Sequence, residues 1–491
     1  MTEQGAQPTP EPAASEHVDV LVVGAGLSGI GAACRLSVEH PHRSVAVLEG
    51  RAASGGTWDL FRYPGIRSDS DMFTFGYRWR PWQGDRALAD GPFILDYLRT
   101  VAREYDVDRL IRYRHRVVSA AWDSATARWT VEADHDGTPV TMTASFLWCC
   151  GGYYDTERGY TPDLPGLDQF AGPVVHPQHW PEDLDWTDQR VAVIGSGATA
   201  VTLLPALAEA AAHVTMVQRS PTYVVTVPAR DPLARRLGWL PERVRYPIIR
   251  WKQILVAMLS FQLSRRWPDR ARALIRSWTH RQLPDHVDVD THFHPPYNPW
   301  DQRLCLVPDG DLYRVLRSGA ASVATGTIET FTPSGLRLTS GEEIEADLVV
   351  TATGLVLKPF GGITLTVDGE KVDPGSSYAY KALMLSGVPN FAFTVGYTNA
   401  SWTLKADLVA DYVCRLLAHL DERGHREVRP VAGPDLRPTP FMPLSSGYIQ
   451  RSAHLLPQQG DREPWLLRQN YLHDRRVIHR APIDDGVLVF R

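Results

Sequence analysis

One glycine fingerprint, written twice, limits what this chain can fold into more than any other feature. The first copy is Gly24-Ala25-Gly26-Leu27-Ser28-Gly29. It follows the apolar run Val18–Val23 and precedes a helical stretch at Ile30–Val38, and a second apolar run, Val45–Leu48, then ends at Glu49. Apolar strand, glycine turn, helix, apolar strand and acid, in that order, make a dinucleotide-binding βαβ unit. Gly24 permits the tight turn, Gly26 lets the backbone approach a pyrophosphate, and Gly29 lets helix and strand pack closely. The helix N-terminus offers free N–H groups and the positive end of its dipole to the phosphates. Glu49 accepts hydrogen bonds from ribose hydroxyls.

The second copy is Gly195-Ser196-Gly197-Ala198-Thr199-Ala200, set between a strand at Arg190–Ile194 and a helix at Val201–Ala211. Ala200 stands at the third glycine, an accepted variant. The next strand, His213–Val217, runs into Gln218-Arg219 rather than an acid. A guanidinium suits a 2′-phosphate that a carboxylate would repel; the rival reading of Arg219 is a solvated loop cation. The acid in the first unit and the base in the second assign FAD to the first and NADPH to the second. Further strands are expected at Ile344–Ala352 and Asn390–Val395, with a helix from near Ser401 that either turns its N-terminus to the first cofactor or is ordinary packing.

The predicted architecture is α/β: two Rossmann-like dinucleotide-binding domains with an inserted helical subdomain. Residues 1–17 read as a disordered tail, because they hold three prolines and no apolar core, which also argues against a signal peptide. Residues 18–155 and 376–491 form the FAD-binding domain, 156–220 and 300–375 the NADP-binding domain, and 221–299 the helical insertion. Within the insertion, residues 230–283 carry 13 Lys+Arg against three Asp+Glu, with Ile248, Trp251, Leu255, Leu259 and Leu263 at helical spacing. That segment is either a solvated helix pair capping the site or a basic amphipathic surface in peripheral contact with a membrane. No run of 18 apolar residues exists to span one.

Charge and cysteine usage exclude other classes. With 51 basic and 56 acidic residues the net charge is -5, which argues against a nucleic-acid partner. The five cysteines (34, 149, 150, 305 and 414) include no CxxC and no Cys/His cluster. A disulfide scaffold and a metal site are therefore not expected, and a cytoplasmic setting is.

The segment Phe170-Ala171-Gly172-Pro173-Val174-Val175-His176-Pro177-Gln178-His179-Trp180-Pro181 narrows the class. Its prolines stiffen a hinge just before the second fingerprint, with Trp180 as anchor and His176 in a structural role. The pattern resembles the FxGxxxHxxxWP fingerprint of the class B flavin-dependent Baeyer–Villiger monooxygenases, in which Phe170, Gly172, His176 and Trp180 are the defining positions. The resemblance runs on through the blocks at 55–82, 193–203, 296–308 and 395–408 and is greatest with ethionamide-activating members of that family. It implies that NADPH reduces FAD, that O2 adds to the flavin C4a position as a peroxyflavin, and that this attacks a ketone to give an ester or lactone. Thioethers or thioamides are the implied sulfur substrates. By motif, the resemblance makes Arg303 and Asp69 the catalytic pair and adds Thr57, Trp58 and Asp69 to the cofactor-binding residues.

Two departures stand out. Gln302 occupies a position where the family often has a lysine, which throws the 2′-phosphate onto Arg219. Cys149-Cys150 replaces smaller polar residues and reads as packing, not as a redox pair. The competing readings are an N- or S-oxygenating flavin monooxygenase, whose members usually lack the arginine at 303, and a flavoprotein that has lost catalysis. A disulfide reductase is excluded, since residues 50–90 contain no cysteine.

Overall fold

The computed structural model describes residues 16–491, so residues 1–15 of the expected tail lie outside the described residues. The last two residues of that tail are not a tail. Glu16 and His17 open the first strand, β1 (Glu16–Val23), and pair with Met142 and Thr143. Helix α1 (Leu27–Glu39) begins directly at the fingerprint, three residues earlier than the apolar periodicity suggested, because Gly26 O already accepts from Ile30 N. Strand β2 (Val45–Leu48) falls where expected, and a one-turn helix α2 (Thr57–Leu60) follows the Gly55-Gly56 turn. The long strand β3 (Thr138–Cys149) completes the unit. β1 lies between β2 and β3, all parallel, with Val20 opposite Val45 and Phe146.

Beyond β3, Phe391–Phe393 adds a parallel strand shorter than the expected 390–395. An antiparallel hairpin, His115–Asp123 with Arg128–His135, extends the sheet from the first half of β3. Thr364–Val367 then pairs in parallel with that hairpin, Thr364 opposite Ser119. This corrects the sequence boundary: residues 364–371 were grouped with 300–375, yet Ile363 and Leu365 are buried in the first sheet's core, and burial decides where a strand docks.

The second unit repeats the first with β4 (Arg190–Ile194), α3 (Ala198–Leu207) and β5 (His213–Gln218). α3 stops four residues short of the expected Ala211, and the chain closes there in turns on Leu207 O. The insertion is not wholly helical. It opens with a strand at Val224–Val227 that pairs with Cys305–Pro308. The helices α4 (Glu242–Arg266) and α5 (Pro268–Gln282) follow as a hairpin. Trp267 separates them, held out of the helical region at φ -133 and ψ 66 by the proline that follows it.

The single strand expected at 344–352 is two. Glu343–Glu345 turns back against Gly335–Leu338, while β6 (Leu348–Thr351) joins β4. The break is at Asp347, whose carboxylate takes the Arg190 backbone N–H at 2.8 Å and its guanidinium at 2.7 Å. The chain crosses between the two sheets on an antiparallel pair, Tyr154–Gly159 with Leu355–Leu357. Finally α6 (Trp402–Arg423) packs on α1 and ends at Gly424, φ 68, a left-handed cap that glycine adopts without strain.

Candidate active site

The first glycine turn lines a cavity of about 830 Å³. Gly24 sits at φ +97, and a Cβ on it would stand 2.8 Å from Cys150 O, so the turn needs glycine on both counts. A Cβ on Gly29 would lie 1.8 Å from Gly24 O, which makes the helix–strand approach possible only without one. Gly26 faces the backbone of Gly56, so the two glycine turns leave between them a cradle bare of side chains. Glu49 is buried and lines the same cavity. Burial pushes its carboxyl up, while Ala25 N–H at 2.7 Å and Arg51 N–H at 2.9 Å pull it back down. Thr57 and Trp58 line the cavity from α2, and Ala400 and Trp402 bring the N-terminus of α6 to it. Bare backbone donors, a buried acid and a helix N-terminus suit a dinucleotide of this size.

The second fingerprint keeps its geometry, with Gly195 at φ +134 and a Cβ there 2.3 Å from Ala352 O. Ala200 is fully buried against the strand, and Gly197 has open space in front of it. Neither glycine lines the large cavity, but Ala198 and Thr199 at the start of α3 do. Arg219 is exposed at the end of β5, and Ser196 Oγ donates to the neighbouring Ser220 O at 3.0 Å. The basic side chain therefore sits on the loop tied to this glycine turn, with no carboxylate partner among the described residues.

Arg303 and Asp69 come together from opposite ends of the sequence. Arg303 Nη1 lies 3.6 Å from Asp69 Oδ2, and Arg303 Nη2 donates to the Tyr397 carbonyl at 3.4 Å. The side chains are 35% and 42% exposed, while Arg303 Nε is buried with no partner. A guanidinium with five donors and so few committed acceptors has donors to spare. Asp69 and Arg303 line the first cavity and also a second, of about 800 Å³, walled mainly by apolar side chains of α4 and α5. The pair thus stands where a cofactor-sized cavity meets an apolar one.

The residues Phe170, Gly172, His176 and Trp180 are packed and hydrogen-bonded near the crossing between the two sheets. His176 Nε2 donates to Gly354 O at 3.1 Å, and its Nδ1 accepts from Gln178 N at 3.1 Å. Burial holds its pKa below the usual value, and both ring nitrogens are engaged. Phe170 packs edge-on to Phe331, Trp180 edge-on to Trp186, and a Cβ on Gly172 would meet Asp347 O at 2.3 Å. Cys149 and Cys150 are free and buried, with the Cys149 thiol pushed up to about 12 by burial, which suits packing and not redox chemistry.

Several site residues were not anticipated. Asp59 is buried under Arg51, Arg62 and Arg99, and Arg51 also donates to Gly56 O at 3.0 Å, fixing the second glycine turn. Tyr153 and Tyr154, with phenols 3.1 Å apart, line the first cavity. Tyr397 OH and Lys405 Nζ both donate to Asp474 Oδ2 at 2.8 Å, so the residue whose carbonyl holds Arg303 is itself anchored near the C-terminus. Nothing in sequence spacing joins residues 303, 397, 405 and 474.

Comparison with known proteins narrows the class. The family described as flavin-binding monooxygenase-like matches residues 89–357, and an NAD(P)-binding Rossmann-like domain matches residues 22–83. The FAD-containing monooxygenase EthA of Mycobacterium tuberculosis is 54% identical over 481 residues, 97% of this chain and 98% of its own. The probable FAD-binding monooxygenase AlmA of Acinetobacter baylyi is 48% identical over 480 residues, 97% of this chain and 96% of its own. Among solved structures, oxidized steroid monooxygenase bound to NADP superposes with TM-score 0.78 at 24% identity, covering 96% of this chain and 99% of that one. Cyclohexanone monooxygenase from Rhodococcus sp. Phi1 bound to NADP+ gives 0.72 at 23% identity, covering 86% and 87%. Both share the fold.

Proposed function

Because the chain belongs to the flavin-binding monooxygenase-like family, we propose that it is an FAD-containing, NADPH- and O2-dependent Baeyer–Villiger monooxygenase. It converts ketones to esters or lactones and oxidises thioethers or thioamides at sulfur. The observation that carries this reading is the Arg303–Asp69 pair at the junction of the two cavities. Gly24, Gly26, Gly29, Glu49, Thr57 and Trp58 hold FAD; Gly195, Gly197, Ala200 and Arg219 hold NADPH. Bound FAD, once reduced by NADPH, supplies the electrons that activate O2.

The chain's own part is positioning and charge. Asp69 and the Tyr397 carbonyl orient the Arg303 guanidinium, leaving its other donors for a substrate carbonyl oxygen and for the negative charge that develops as oxygen is transferred. Such a preorganised cation gains strength where water is sparse, and Tyr153, Tyr154 and the apolar second cavity keep it sparse. An N- or S-oxygenating enzyme needs no such cation beside the reacting carbonyl. The working setting is the cytoplasm, with residues 230–283 either a helix pair capping the site or a surface in peripheral contact with a membrane.

Two measurements check the cofactors. The purified protein should be yellow, with about one FAD per chain released on denaturation; FMN, or no flavin after reconstitution, sinks the assignment. Arg219→Ala should raise the NADPH KM by roughly ten-fold or more and leave the NADH value nearly unchanged, because only the 2′-phosphate contact is lost. Equal losses with both coenzymes would make Arg219 structural. The function is tested by incubating the enzyme with NADPH, O2 and a panel of ketones and thioethers and identifying the products.

A further inference from the structure

Helix α4 is apolar on two opposite faces. Tyr246, Ile249 and Ile254 are buried on the side that packs on the protein. Val244, Ile248, Leu255, Leu259 and Leu263, at intervals of three to four or twice that, form a stripe on the other side, each at least 43% exposed. On α5, Leu274 and Trp278 continue the exposed surface, with Trp267 at the turn and Trp239, 78% exposed, just before α4. Most of the large exposed apolar side chains of the described residues lie in this one stretch, 239–278. A soluble surface rarely concentrates them so.

The charge around the stripe is predominantly positive: of the acids in 230–283, Asp269 is exposed and lies 3.8 Å from Arg272, and Glu242 is half-buried. Arg235, Arg236, Arg243, Arg266, Arg270 and Arg281 are exposed and have no carboxylate partner among the described residues, whereas Asp231 is buried on Lys252. We propose that the α4–α5 hairpin is a docking surface for an anionic lipid bilayer, and that the second cavity opens onto it. Apolar side chains entering the interface and arginines at headgroup level are what such a surface requires. A second copy of this chain fits less well, because two arginine-rich faces would meet. The link to function is the cavity wall: Val256, Leu263, Trp267, Leu274 and Trp278 line the second cavity and are also exposed, so its mouth lies on the docking face. A lipid-dissolved ketone then reaches Arg303 without crossing water. This last step rests on the proposed monooxygenase reading; the docking itself does not.

The full-length holoenzyme is mixed with vesicles of phosphatidylcholine alone or with added phosphatidylglycerol, and sedimented. Binding is expected to the anionic vesicles, to fall with salt, and to weaken by roughly thirty-fold in Arg243→Gln/Arg266→Gln, about five-fold per charge. Leu255→Glu/Leu259→Glu changes two exposed residues that do not line the cavity. It should abolish binding and leave turnover of a water-soluble ketone unchanged, yet lose turnover of a ketone supplied in vesicles. No sedimentation of the parent at low salt overturns the proposal. So does a dimer in solution that the leucine variant dissociates while vesicles bind neither protein. If vesicles bind but no ketone is oxidised in any condition, the docking stands and the monooxygenase reading falls.

Discussion

Arg303→Ala is expected to bind FAD as the parent does and to lose ester formation by about 10³-fold or more. The bonds given for Arg303 run to Asp69 and Tyr397 and not to the glycine cradle around Gly24, Gly26 and Gly29, so flavin content should not change. What goes is the one cation that lines both cavities among the described residues, and a preorganised donor in a site shielded from water is worth about 10²–10³ in rate by itself. Reduction by NADPH should slow but continue, so electrons are spent without oxygen transfer and appear as hydrogen peroxide. Asp69→Ala should give a milder form of the same defect, because it leaves the guanidinium and its bond to the Tyr397 carbonyl and removes only the 3.6 Å partner. The assay is ester and hydrogen peroxide per NADPH in the three proteins. An Arg303→Ala enzyme that makes ester at the parent rate would show that this guanidinium does not carry the oxygen transfer.

How much of this was legible in the sequence depends on whether the determining contacts are local. Each βαβ unit is, and β2 and β4 fall on the residues that the apolar runs marked, because a buried parallel strand must be apolar on both faces. The glycines were legible for the same reason: the clash at Gly29 is with Gly24, five residues away. The domain boundary was not. Thr364–Val367 is a plain apolar alternation whose choice of sheet is made by a non-local pairing with Ser119–Trp122. The break at Asp347 was hidden likewise, since it depends on Arg190, 157 residues away. Arg303 and Asp69 rest on motif resemblance, not spacing; Tyr397 lies in the resembling block 395–408 with no role read for it, and Tyr154 and Asp474 lie in none of the blocks.

Asp474 carries the second large effect. It is buried near the C-terminus and takes Lys405 Nζ and Tyr397 OH on one oxygen, each at 2.8 Å, with His473 at 3.5 Å from the other. Burial alone would raise its pKa, but the Lys405 charge and hydrogen bond and the Tyr397 hydroxyl outweigh it and hold it below the usual carboxylate value. A lowered folded-state pKa gives stability that is present above the unfolded pKa and lost as pH falls through the folded one. The acid limb of the parent's melting temperature should therefore be shallower in Asp474→Asn, which loses this carboxylate's share of it. At neutral pH that variant leaves a buried ammonium without its anion, a loss of about 3–5 kcal/mol. Tyr397→Phe is the gentler probe, removing one charge-assisted bond worth about 1.5–3 kcal/mol and keeping the carbonyl that Arg303 uses. If Asp474 positions Arg303 through Tyr397, both variants should make less ester per NADPH at unchanged flavin content, and Asp69→Ala combined with Tyr397→Phe should lose more than the sum of the singles, since one support of the guanidinium is then gone and the other is no longer anchored. Melting temperatures that fall while ester per NADPH stays at the parent value would show that this buried pair supports the fold alone.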